Sequence, residues 1–90
     1  LNSKARSEIK SRAHHLKPVV RLGQHGLTEA VINETDVSLT THELIKVHIH
    51  NGERDQRKEM AEELCKKTKA ECIGTIGKVF ILYRKNKSQV

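Results

Sequence analysis

The sequence predicts an α/β fold in which a mixed four-stranded sheet packs with three helices, in the element order αβαβαββ. Three observations predict it. Stretches whose apolar residues recur every three or four positions alternate with short β-branched runs. The stretches between the first three such runs are long enough for the helical crossovers that parallel strands require. The last two runs are separated only by Gly77-Lys78, the length of a hairpin turn.

Taken in order, residues 3–16 place Ala5, Ile9, Ala13 and Leu16 along one face of an amphipathic helix. Pro18 ends it by forcing Lys17 into an extended conformation. Val19, Val20 and Leu22 make a short strand that stops at Gly23. Beyond Gly26, Thr28 suits an N-cap, Glu29 complements the positive helix end, and Leu27 with Ile32 can staple the cap. This second helix turns Val31, Ile32, Thr35 and Leu39 inward and ends near His42. The run "LIKVHI", residues 44–49, alternates as a strand, with Ile45, Val47 and Ile49 on one face and Lys46 and His48 on the other. Asn51-Gly52 signals a turn, and from about Arg54 to about Thr68 Met60, Ala61, Leu64 and Cys65 repeat at helical spacing. Cys72, Ile73 and Ile76, then residues 79–83, form the closing hairpin.

Ninety residues suffice for one modest core, here a single domain over residues 1–85 followed by a polar tail, 86–90. A hydrophobic fraction of 36% with one Phe and one Tyr makes that core aliphatic. Seventeen Lys and Arg against 11 Asp and Glu give a formal charge of +6, which points to a polyanionic partner. No run is long and apolar enough for a membrane span and no secretory pattern opens the chain, so a cytoplasmic protein is expected. Cys65 and Cys72 form no CxxC pair and read as reduced core residues. His14-His15 and His48-x-His50 offer fewer imidazoles than a metal site needs. No acid, base and nucleophile converge in the sequence, so neither an enzyme, a cofactor nor a small-molecule substrate is expected.

The stretch "RLGQHGL", residues 21–27, holds the most specific local signal. A GxxG between strand and helix lets an anion approach the main chain closely, and the following helix adds unpaired N–H groups and positive dipole density. The same pattern also serves as a plain turn, with Gly23 and Gly26 both shaping the loop. Charge favours the anion. Arg6, Lys10 and His14 form a basic stripe on the first helix, Lys17 continues it, Lys4, Arg12 and Arg21 add to the charge around it, and Glu8 is the only acid before Glu29. The third helix mixes acids and bases and reads as a solvated, ion-paired face. Tyr83 reads as core more readily than as a stacking platform, so binding to RNA would run through phosphate and shape.

The segments "AHHLKPVVRLGQHGLTEAV" at residues 13–31, "HELIKV" at 42–47 and the ending "IG..FILYR" at Arg84 together resemble the CRM domain, named for chloroplast RNA splicing and ribosome maturation, most of all its small stand-alone bacterial YhbY-like members. The resemblance spans nearly the whole chain. It implies a fold like the C-terminal domain of translation initiation factor 3 and an RNA-binding role on precursors of the large (50S) ribosomal subunit. Ribosomal RNA is then the expected partner, with ribosomal proteins as further candidates. It also implies a KH-like loop made by Gly23, Gln24, His25 and Gly26. The distribution of charge adds Lys4, Arg6, Lys10, His14, Lys17, Arg21, Lys46 and Arg84 as expected supporting contacts. A general RNA chaperone, an intron-splicing role or a ribosome-docking adaptor are the alternatives. Arg12 and Thr35 stand where similar sequences are usually apolar, which places them at the core edge or lowers stability. His25 would make a phosphate contact at the loop pH-sensitive, but the family does not require it, and backbone N–H groups with neighbouring cations are expected to hold the phosphate rather than Gln24 or His25.

Overall fold

The computed structural model describes residues 2–86. Its elements are α1 (Ser3–Ala13), β1 (Pro18–Leu22), α2 (Glu29–His42), β2 (Leu44–Ile49), α3 (Arg54–Thr68), β3 (Glu71–Ile76) and β4 (Val79–Tyr83). The strands form one mixed sheet in the order β1-β2-β4-β3, with β1 parallel to β2 and β4 antiparallel to both β2 and β3. The α/β class, the element order and the mixed sheet are those the periodicity predicts.

Two apolar layers sandwich the sheet. On one side α2 and α3 close over Val20, Leu22, Ile45, Val47, Ile49, Phe80 and Leu82, contributing Leu39, Ala61, Leu64 and Cys65. On the other, α1 lays Ile9 and Ala13 against Leu44, Ile73 and Ile81, a smaller layer bordered by Tyr83. The second layer explains why β2 departs from simple alternation: Leu44 and Lys46 are buried beneath the α1 side, as Ile45, Val47 and Ile49 are beneath the other.

Both outer strands carry a register shift. On β1 the partners step from Pro18↔Lys46 to Val20↔Val47, which leaves Val19 unpaired and 48% exposed. On β3 they step from Cys72↔Leu82 to Gly74↔Ile81, so Ile73 packs under α1 and the adjacent Gly74 faces the same side, beneath the Lys10 side chain. Such bulges insert a residue and turn side chains that strict alternation would place otherwise.

Helix ends follow local chemistry. Asn2 caps α1 through its Oδ1, which accepts from Ala5 N–H at 2.8 Å. α1 stops at Ala13, short of Leu16, because the chain tightens through i→i+3 bonds, His14 N–H to Ser11 O and Leu16 N–H to Ala13 O. Leu16 therefore leaves the helix face and is exposed. Thr28 caps α2, its Oγ1 accepting from Val31 N–H at 3.2 Å. Glu53 and Gln56 form a capping box at the start of α3. α3 ends in a Schellman motif, with Lys69 left-handed at φ 59° and Ala70 N–H bonded to Cys65 O.

Thr35 is wholly buried and not at the core edge, and its hydroxyl donates to Val31 O at 2.8 Å. A buried hydroxyl with a partner is tolerated where an unpaired one would be costly. Arg12 is exposed. Asn86, first residue of the expected tail, is tied to the end of α2: its backbone N–H donates to Glu43 Oε2 and its side-chain amide to Thr40 O. Tail residues 87–90 lie outside the described residues.

Candidate nucleic-acid interface

The loop expected to bind phosphate lies between the end of β1 and the cap of α2. Gly26 N–H bonds to Gly23 O at 3.0 Å, closing a turn around Gln24 and His25, both exposed. Among the described residues the Gln24 and His25 amides have no hydrogen-bonded partner, so they stand available to an acceptor from outside. The two glycines differ. Gly26 has φ +66°, which disfavours any side chain. Gly23 has an ordinary backbone conformation, and a Cβ placed on it would meet nothing within 4 Å. The expectation that both glycines shape the loop is thus corrected: the fold requires the glycine at position 26, while at 23 it keeps space open.

The loop has two unlike flanks. Toward α3 it shares an open hollow with Asn51, Gly52, Glu59 and Glu63, an acidic side. Toward the α1 side of the sheet it meets cations. Val20 and Leu22 point into the α2/α3 core, so Arg21 between them points the other way, directly beside His48 of β2. His48 and His50 have ring centroids 3.8 Å apart. His50 N–H donates to Leu22 O, the residue preceding the loop, and Ile49 N–H donates to Lys78 O, which draws the hairpin turn to the same end of the sheet. Burial holds the His48 pKa below the usual imidazole value, reinforced by the charges of His50, Arg21 and Lys78. Among the described residues Arg21, His48, His50 and Lys78 have no ion pair.

The remaining expected residues divide. Lys4, Lys10, His14 and Lys17 are exposed along α1 and the segment after it, with the Lys10 stem lying over Gly74 of β3. Arg6 is exposed but leans on β3, 3.5 Å from Glu71 and donating to Cys72 O. The basic stripe thus crosses β2 and β3, and it is the strands, not α1, that bring cations to the loop. Lys46 is only 9% exposed, which leaves far less of it for a partner than the alternating pattern implied. Arg84 is engaged within the fold: its guanidinium donates to Asp36 Oδ1 at 2.6 Å, Asp36 O, Thr40 Oγ1 and Thr68 O. That network joins β4 to α2 and α3 on the side of the sheet opposite α1, so Arg84 is corrected from a surface contact to a structural tie. Lys78 and the His48–His50 pair are the additions. The signal that could have found them is the parallel pairing of "VVRL" with "LIKVHI", which sets Arg21 beside His48.

Both thiols favour the protonated form. Burial pushes Cys65 up to about 12, and burial likewise raises Cys72, whose thiol donates to Gly74 O. Among the described residues no three His, Cys, Asp or Glu side chains gather as a metal site, and no helix is long and apolar enough to cross a membrane.

A small α/β module with a glycine loop between a parallel strand and a capped helix, bordered by unpaired cations, is the class that fold and surface define. The family model of the CRS1/YhbY (CRM) domain matches residues 1–84. The chain belongs to the CRM domain family. A probable RNA-binding protein of Pseudomonas aeruginosa is 42% identical over 86 residues, covering 96% of this chain and 83% of that protein. An RNA-binding protein of Haemophilus influenzae is 42% identical over 84 residues, covering 93% of this chain and 85% of that one. The solution structure of a hypothetical Staphylococcus aureus protein, proposed to bind RNA, superposes with a TM-score of 0.86 at 34% identity, covering all of this chain and 94% of its own.

Proposed function

We propose that this protein is a non-enzymatic, cytoplasmic RNA-binding module that holds structured ribosomal RNA in precursors of the large ribosomal subunit. The loop 23–26 would seat a phosphate, and the cations of α1 and β1 would neutralise its neighbours. Family membership and the naming of the relatives support RNA as the partner, and the YhbY-like resemblance supports the ribosomal precursor. The observation that supports the site is the bare main chain of the loop: neither the backbone angle nor the surroundings of Gly23 demand a glycine, and the Gln24 and His25 amides have no partner among the described residues, which leaves room for an anion to approach.

Gly23→Ala separates the two roles of the loop. Folding stability should hold or rise by up to about 1 kcal/mol, since alanine restricts the unfolded chain. Affinity for a large-subunit ribosomal RNA fragment, read by fluorescence anisotropy, should fall roughly tenfold, about 1.4 kcal/mol. Replacing Lys4, Lys10 and Lys17 by Gln should weaken binding and lower the slope of log affinity against log salt by roughly 0.7 to 0.9 for each phosphate that is no longer neutralised. Unchanged affinity in both variants would sink the assignment. Ribosome association that survives without free RNA binding would favour docking through proteins, and equal binding to unrelated structured RNAs would favour a chaperone.

A further inference from the structure

We infer that Arg21, His48, His50 and Lys78 form a second phosphate-binding site on the open part of the sheet face beside α1, and that it takes up a proton as it closes on the RNA backbone. The inference rests on the RNA-binding reading above and adds to it a site, its ligand chemistry and a dependence on pH.

The geometry comes first. Three segments converge: Arg21 from β1, His48 and His50 from successive positions on one face of β2, and Lys78 from the hairpin turn held against the end of β2 by the Ile49 N–H to Lys78 O bond. The imidazoles are in ring contact at 3.8 Å, tilted by 56°. Arg21 is the direct register partner of His48, and Val79, next to Lys78, is its partner on the other side. Lys46 lies one alternation further along the same face. Every charged group that acts on His48 is therefore cationic or becomes so on protonation, and among the described residues none of the four has an acidic ion-pair partner.

Such a cluster is electrostatically incomplete. Two touching imidazoles beside Arg21, with the charge of Lys78 at the same end of the sheet, repel further protons while the site is empty, which adds to burial in holding the His48 pKa below its ordinary value. A phosphodiester set among them reverses the sign of the local field. It offers acceptors to Arg21 and Lys78 and favours protonated imidazole, which adds one more charge-assisted donor. The position fits one continuous RNA strand: His50 is bonded to Leu22, so the cluster abuts the loop 23–26 on its cationic flank, away from Glu59 and Glu63.

Linkage sets the direction. In the free protein a depressed His48 pKa costs no stability above the ordinary imidazole value and lowers stability as pH falls below it, because the unfolded chain then binds the proton more readily. In the complex the raised pKa makes affinity grow as pH falls. Wild-type affinity for the large-subunit RNA fragment, at constant salt, should therefore rise roughly five- to tenfold between pH 7.5 and pH 5.5. The double variant His48→Gln/His50→Gln should lose most of that rise, so that its deficit against wild type is largest at pH 5.5 and smallest at pH 8. The single variant His50→Gln, at an exposed position, should lose part of it. His25→Gln serves as the control for the nearby loop imidazole and should leave most of the rise intact. A pH slope unchanged in the His48/His50 double variant overturns the inference while leaving RNA binding itself standing. Failure of wild type to bind RNA at any pH overturns both.

Discussion

On the face covered by α2 and α3, Arg84 is ringed by acceptors from Asp36, Thr40 and Thr68; on the face crossed by α1, Arg21, His48, His50 and Lys78 have no ion pair among the described residues. The same residue types do different jobs because of coverage. Two helices enclose the first face, so a cation there is partly desolvated and is stable only with partners. One helix covers part of the second, so cations on β1 and at the hairpin turn stay hydrated and tolerate having none. For Arg84 and Arg21 the part played in folding or in binding thus follows from how far helices cover the side of the sheet that each reaches.

The first way to break this contrast is to compare the two apolar layers directly. Leu64→Ala, in the enclosed layer, should cost about 3 kcal/mol in urea denaturation, and Ile9→Ala, under the single helix, about 2 kcal/mol. A larger loss at Ile9 would mean that α1 carries more of the fold than its coverage implies. Next in size is Arg84→Met, which keeps much of the stem but removes four donated hydrogen bonds from a side chain 21% exposed. It should cost about 2 kcal/mol while leaving RNA affinity, measured on the folded fraction, within about twofold of wild type. A large loss of affinity without loss of stability would return Arg84 to the binding surface. The smallest effect is expected at the end of α3. Lys69 adopts a left-handed conformation that glycine reaches without strain, so Lys69→Gly should raise stability by about 1 kcal/mol.

The fold was legible because its determinants are local and periodic. "LIKVHI" is a strand over the expected residues, Thr28 is the cap it resembles, and Gly77-Lys78 turns the hairpin. What escaped depends on interactions between distant segments. Nothing near Arg84 in the chain shows that Asp36 and Thr40 will face it, since they lie 48 and 44 residues away. Alternation placed Lys46 on the open side of β2, yet α1 packs on that side and the side chain is buried. As metal ligands His48 and His50 are too few, and only the register with Arg21 and the charge of Lys78 near the same end of the sheet give them another use. The GxxG was visible as a motif, but that one glycine serves the backbone and the other serves open space is a property of φ angles and neighbours.

The register shifts at Val19 and Ile73 bear on a hazard that has nothing to do with RNA. β1 and β3 are the outer strands, and a straight outer strand offers its free N–H and C=O groups as a template for the sheet of another molecule. Here the residue that interrupts each ladder lies on the outer strand itself, and on β1 it is reinforced by Pro18, which has no N–H to donate, and by the charge of Arg21. The irregularities that confound strict alternation thus make both outer strands poorer templates for edge-to-edge pairing than straight ladders would be.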